Sequence, residues 1–327
     1  MADMARGSAV DRIERDVVLE CRGVCHSFGP KRVLHDVNIR IMHGEIVALV
    51  GPSGCGKSTL LRAIVGTHPP RAGQVLVDEG DGRPVPVAGP GRDRGIVYQH
   101  YSLFPFLTAQ KNVAIGPMLD QTTIPFRFFQ YPKWRRLRKQ HLKEAAEFLE
   151  RLGLGEAVNR YPAEMSGGMQ QRVAIAQALI MKPQVLLLDE PFGALDEATR
   201  EELQRLLLTL YLENCLAKQR GEQPPYTIMI VTHELNEAIY VSDRVLGLSQ
   251  YWAWRGEGLA AVPGATIVYD KPAPVFLPGD ERDFATFRDQ REEIREAVFN
   301  PACCQARNQF RTFWEEVRAG RGQGILR

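Results

Sequence analysis

The chain of 327 residues lacks any apolar run near the ~18 to 20 residues a membrane span needs. Its opening, MADMARGSAVDRIERD, mixes acids with bases and has no apolar signal core, so a cytosolic chain is expected. Charge imbalance is also scarce. The 41 Lys and Arg against 39 Asp and Glu leave a formal +2, which exerts no global pull toward nucleic acid or an anionic surface. Cysteine is sparse: the six, at 21, 25, 55, 215, 303 and 304, include no paired C-x-x-C frame, which argues against a disulfide scaffold or a zinc site. The adjacent Cys303 and Cys304 read as buried or incidental thiols. The length suffices for one large α/β domain with a satellite, or for two small domains.

What is present begins as strands. VVLECRGVCHSF, RVLHDVNIRI and EIVALV, within residues 17 to 50, are separated by turn signals at Gly29-Pro30 and His43-Gly44. QVLVD (74 to 78) and GIVYQ (95 to 99) extend this part across the Gly/Pro-dense loop EGDGRPVPVAGPGRDR. From about Thr108 to Asn159 the pattern turns helical, with Leu142, Ala145, Ala146 and Leu149 at 3.6-type spacing. A helix led by Ser166 follows, with Met169, Val173, Ala176 and Leu179 on one face and a stop at Pro183. The runs VLLLD (185 to 189) and TIMIVT (227 to 232) flank the helical EATREELQRLLLTLYLENCL and the loop AKQRGEQPP. Continuous apolar strands alternating with helices predict a parallel sheet covered on both faces. Near the end, Phe284, Phe287, Ile294 and Val298 line one expected helix and Phe310, Phe313, Trp314 and Val317 another, with Pro301 between them. Aromatic stripes at this spacing are usually core, so both helices are expected to cap the main domain; a regulatory or partner-docking appendage is the other reading.

The stretch GPSGCGKST spans Gly51, Pro52, Ser53, Gly54, Cys55, Gly56, Lys57, Ser58 and Thr59, between the strand EIVALV and the helical LLRAIVG. Such a turn leaves backbone N–H groups unpaired at a helix N-terminus, where the peptide dipoles favour negative charge. Its glycines let the backbone wrap phosphate oxygens while Lys57 reaches the outer phosphates and Ser58 offers a hydroxyl to Mg²⁺. An ordinary Gly-rich turn is the plainer reading, but the flanking strand and helix are the context a phosphate loop demands. A phosphate loop alone fits kinases, GTPases, helicases and transporters. VLLLDEP then ends a buried strand with Asp189, placed to orient a Mg²⁺ water shell, and Glu190, a carboxylate able to polarise an attacking water. Between these lies RYPAEMSGGMQQR, where Ser166 caps a helix and Gly167 and Gly168 present bare N–H groups, a second anion site.

Taken together these motifs resemble those of the ATP-binding subunits of ABC transporters. Gly51 to Ser58 match Walker A, MSGGMQQR the signature, VLLLDE Walker B, Gln99 in VYQHYSLFP the Q-loop, ALD (194 to 196) the D-loop and His233 in VTHE the switch histidine. Phe28 matches the aromatic that stacks on adenine, although an aromatic in a strand is usually core. The resemblance covers roughly residues 17 to 250, departing mildly at Met165, Met169 and Gln177. It implies an α/β fold: a P-loop NTPase core with an antiparallel β subdomain, a helical subdomain inserted at about 100 to 170, and a C-terminal helical extension over 251 to 327, after a tail of residues 1 to 16. It implies a homodimer in which each ATP is clamped by the loop of one subunit and by Ser166, Gly167 and Gly168 of the other, with Asp196 bridging subunits. In that scheme Glu190 is the general base and His233 touches the γ-phosphate, while Ser58, Gln99 and Asp189 serve the metal and Gln99 relays to a membrane partner.

RYPAEMSGGMQQR and QHYSLFPFLTAQKNV look like the ATPases of importers for nitrate, sulfonates and taurine. Such subunits work at the cytoplasmic face of the inner membrane with two transmembrane permease subunits and a substrate-binding protein, and with no nucleic acid. A soluble ABC-type ATPase acting on a ribosomal or nucleic-acid partner is the alternative; yet about 110 residues separate loop and signature, without the sustained heptads of a chromosome clamp. IPFRFFQYPKWRRLRKQ (124 to 140) interleaves aromatics with cations, and reads either as a membrane-facing surface or as a solvated basic helix.

Overall fold

The computed structural model describes residues 16–80, 82–99, 102–193, 195–280, 287–302, 305–310 and 312–318. Val17–Phe28 (β1) and Lys31–Met42 (β2) form an antiparallel hairpin, whose turn uses Gly29 at φ 57°. The chain then enters Ile46–Val50 (β3), passes through the glycine loop into Lys57–Val65 (α1), and returns as Ala72–Asp78 (β4) and Pro84–Pro86 (β5). β1, β2, β4 and β5 make one sheet in the order β2-β1-β4-β5, from which β3 is absent. β5 falls inside the segment expected to be loop, and its prolines fit because they sit on the sheet edge.

Arg94–Val97 (β6) precedes four helices, Ala109–Gln121 (α2), Ile124–Phe129 (α3), Tyr131–Arg151 (α4) and Gly167–Leu179 (α5), before Val185–Asp189 (β7). Lys182, at φ 52° just before Pro183, turns the chain out of α5. Glu197–Gln219 (α6), Ile228–Val231 (β8), Leu235–Val241 (α7), Arg244–Ser249 (β9) and Thr266–Pro272 (β10) follow. The second sheet has the order β10-β9-β3-β8-β7-β6, parallel from β9 to β6 with β10 antiparallel at the edge.

Alternation along the central strands divides the core in two. Val185 and Leu187 of β7 pack with α1 and the antiparallel sheet, whereas Leu186 and Leu188 pack with α2, α4, α5 and α6. Fully burying a Leu or Val is worth about 1.5–3 kcal/mol, so strands with apolar residues on both faces are held in register from both sides. α6 continues through Ala217, Lys218 and Gln219, which were expected to be loop.

Residues past 250 differ from the helical extension expected. β10 joins the main sheet beside β9, so this part of the chain is woven into the core after a single 3-10 turn at Trp254–Glu257 and before its α-helices. Arg288–Ile294 (α8) runs into a π-helical turn over 295–299, and Phe287, Ile294 and Val298 pack on Ala48, Val50 and Val245. The turn approaches β9 closely because a Cβ on Gly247 would stand 2.3 Å from Val298 Cγ2. Phe313–Arg318 (α9) seats Phe313 and Trp314 on Val17 and Met42. The extension thus packs back as a cap; Phe284, Cys303, Cys304 and the side chain of Val317 lie outside the described residues.

Candidate nucleotide site

β3, β8 and β7 run parallel side by side, so the segments that leave their carboxyl ends gather on one edge: the loop 51–56, His233 and Asp189-Glu190. Gly51 admits no side chain, since a Cβ there would lie 2.2 Å from the Leu248 carbonyl oxygen. Gly54 at φ 75° and Gly56 at φ 115° carry the loop through the left-handed region into α1. Lys57 curls back so that its Nζ donates to the carbonyls of Gly51 at 2.7 Å and Pro52 at 3.2 Å. Ser53, Gly54 and Ser58 are exposed and Pro52 and Thr59 half-buried, while Cys55 is buried and its thiol is pushed up by that burial. The hairpin β1-β2 leans on this loop, for a Cβ on Gly56 would meet Val33 Cγ1 at 2.9 Å. At the hairpin tip Phe28 is 48% exposed, with its ring edge-on to His26 and His68.

Glu190 adopts φ 49°, a left-handed conformation that costs a non-glycine residue of order 1–3 kcal/mol. Its N–H donates to the Val231 carbonyl at 2.8 Å, and its Oε2 lies 2.7 Å from His233 Nδ1. The neighbouring Asp189 carboxyl is raised above the ordinary range by burial and by Glu190, against the pull of Lys57 and Arg62. Gln99 leaves β6 exposed and reaches the turn after β7, where a Cβ on Gly193 would stand 3.5 Å from its Nε2.

A second constellation is built on α5 and α6. Ser166 Oγ caps α5 by accepting from Met169 N at 3.2 Å. Asp196 caps α6, accepting from Thr199 N at 3.0 Å and from Thr199 Oγ1 at 2.8 Å, and these two bonds hold its carboxyl below the usual range. The two helix tips abut: a Cβ on Gly168 would lie 1.7 Å from Thr199 Cγ2. Gly168 is therefore buried against α6, and Gly167, half-buried, is the more open of the pair. Thr199 was missed from sequence, though its place three residues after a capping Asp was the available signal. Ala194 lies outside the described residues.

The structure brings Lys57, Asp189, Glu190 and His233 to one edge, and Gln99 to the turn after β7. It does not join Ser166, Gly167 or Gly168 to that edge: among the described residues no hydrogen bond or ion pair links them to 51–59. The oxygen donors of Ser58, Asp189 and Gln99 suit a hard cation such as Mg²⁺, which binds through one or two protein ligands plus phosphate.

A glycine loop joining a parallel strand to a helix, beside acidic residues at the end of a strand in the same sheet, defines a P-loop nucleotide-binding protein. The ABC transporter family model matches residues 34–193. The nitrate transport protein NasD of Klebsiella oxytoca is 40% identical over 273 residues, 81% of this chain and 91% of that protein. The nitrate import ATP-binding protein NrtD of Synechococcus elongatus is 38% identical over 75% of this chain and 77% of its own. Among solved structures, the dimeric bacterial ABC transporter cassette MJ0796 is similar with TM-score 0.57 and 29% identity, over 79% of this chain and 100% of that one. The same cassette in a post-hydrolysis state bound to ADP and Pi gives TM-score 0.56 at 28% identity, over 79% of this chain and 100% of that one. The chain belongs to the ABC transporter family and is one of its ATP-binding, ATP-hydrolysing subunits.

Proposed function

We propose that this subunit drives import of a small oxyanion-bearing solute, nitrate, a sulfonate or taurine, as a homodimer under two transmembrane permease subunits fed by a substrate-binding protein. The import assignment is supported by similarity to the nitrate transport and nitrate import proteins over most of their lengths. The same similarity supports a peripheral position at the cytoplasmic face of the inner membrane; among the described residues no helix is long and apolar enough to cross a membrane.

The observation that carries the hydrolytic reading is Glu190, whose Oε2 is held at 2.7 Å from His233 Nδ1 on the edge shared with the phosphate loop. Its Oε1 has no hydrogen-bond partner among the described residues and is free to take a proton from a water attacking the γ-phosphate. His233 orients Glu190 and reaches the γ-phosphate, and Lys57 leaves its loop carbonyls for phosphate oxygens. Phe28, half exposed on its hairpin, stacks on adenine, and loop residues Gly51 to Thr59 wrap the phosphates. Ser58, Gln99 and Asp189 would hold a Mg²⁺ ion, which would supply charge neutralisation at the phosphates. Ser166, Gly167 and Gly168, which make no hydrogen bond to their own loop among the described residues, act on the partner's nucleotide, and Asp196 stands at the subunit junction. Glu190→Gln keeps the bond to His233 but removes the base. ATP affinity should hold while turnover falls about 10²–10⁴-fold, and ATP should trap a dimer by size-exclusion chromatography. Turnover at the parent rate would refute the assignment.

A further inference from the structure

Between Asp120 and Glu144 the chain carries seven Lys or Arg and no carboxylate. α3 buries none of its residues: Ile124 is 68% exposed, Phe128 79% and Phe129 88%. Single exposed apolar residues are ordinary, but three on one short helix make a patch. The helix is nonetheless well anchored. Thr123 Oγ1 caps it by accepting from Phe126 N at 3.4 Å, Arg127 Nε donates to Thr122 Oγ1 at 3.0 Å, and a proline occupies the first turn of both α3 and α4. On α4 the less exposed side carries Trp134, Leu137 and His141. Lys133, Arg135, Arg136 and Lys139 are exposed, and none of them forms an ion pair among the described residues.

We propose that α3 and the start of α4 dock directly on an anionic bilayer surface, α3 seating Phe128, Phe129 and Ile124 among the acyl chains and α4 reaching lipid phosphates. Unpaired cations of one sign ask for an anionic surface, and exposed aliphatic and aromatic side chains ask for an apolar layer. A bilayer leaflet offers both, the charge outside and the hydrocarbon a few ångströms beneath. A single-stranded nucleic acid would match the cations and stack on the phenylalanines but gives Ile124 nothing. This attachment is separate from any grip on a permease and from hydrolysis. It is measured without nucleotide, so its failure and that of the transport reading are distinguishable.

The test is co-sedimentation of the full chain with vesicles of phosphatidylcholine alone or containing about a third phosphatidylglycerol, at low and high salt. Binding should require the anionic lipid and fade with salt. Lys133→Gln/Arg135→Gln/Arg136→Gln should weaken it about a hundredfold, roughly fivefold per cation. Phe128→Ser/Phe129→Ser should weaken it at least about tenfold. Both variants should keep the parent's ATPase rate in solution, showing that they fold. Equal binding to both vesicle types, either variant binding like the parent, or tighter binding to a single-stranded oligonucleotide than to the anionic vesicles would overturn the proposal.

Discussion

Glu190 and Gly168 show two ways in which one residue's backbone is committed to its neighbours. Glu190 holds φ 49° because its N–H is bound to Val231 and its carboxylate to His233, so the surrounding structure over-determines an unfavourable conformation. Gly168 is committed by space. Its place in SGG predicts a bare N–H, and a Cβ built on it would stand 1.7 Å from Thr199 Cγ2, so the position requires glycine for packing as well. No local pattern reveals this, since the two residues stand on different helices. Gly168→Ala should cost about 1–3 kcal/mol by forcing α5 away from α6. Adding Thr199→Ser removes the clashing methyl while keeping the hydroxyl bond to Asp196, and should restore much of the loss. Thermal unfolding of the single and double variants measures this, and additive effects would show that the two side chains do not meet.

Among the elements, α5, β7 and the helix after the phosphate loop were readable because their periodicity, caps and flanking glycines are local. β9 and β10 were not. RVLGLS and TIVYDKP are short apolar runs whose period distinguishes strand from helix poorly, and β9 lies in register with β3, some two hundred residues earlier. The last helix is decided by a charge. Arg244 on β9, 1% exposed, lies 5.3 Å from the Phe313 ring and 5.5 Å from Trp314, and is paired with Glu45 at 3.0 Å and Asp270 at 3.2 Å. Trp314 Nε1 also donates to the Arg40 carbonyl at 3.2 Å, and Phe313 N to Asp270 at 3.0 Å. Trp314→Ala should therefore cost about 3 kcal/mol, combining lost burial with the loss of one of the two rings beside the Arg244 cation. Trp314→Phe should cost less. Urea unfolding checks both, and an unchanged midpoint would detach α9 from the folded unit.

Over the whole molecule, buried carboxylates make stability depend on pH. Burial lifts Glu45 to about 7 against Arg244, Glu237 to about 7 against Arg200, and Asp243 to about 6 against the N–H of Ile46. Each folded value exceeds the unfolded one, 4.5 for Glu and 3.8 for Asp, so unfolding releases protons between them and stability falls as pH rises through this window. The opposite holds in acid. Burial of Glu20 is outweighed by Arg22 and Arg40, and burial of Asp78 by the N–H groups of Gly80 and Gly82 and by His43, so both are held low and their contribution is lost as pH drops through their folded values. The melting temperature should accordingly be higher near about pH 5 than near about pH 8, by roughly 1–2 °C for each kcal/mol involved. Glu237→Gln should narrow the difference; a profile flat in both proteins would contradict the burial argument. The amino-acid sequence by itself determined the phosphate loop, the apolar strands and the helix caps, because each depends on residues within a turn or two of one another. Tertiary structure alone decided that β10 completes the sheet, that Gly168 yields to Thr199, and that Arg244 gathers α9, because steric exclusion and charge burial act between residues that only folding brings together.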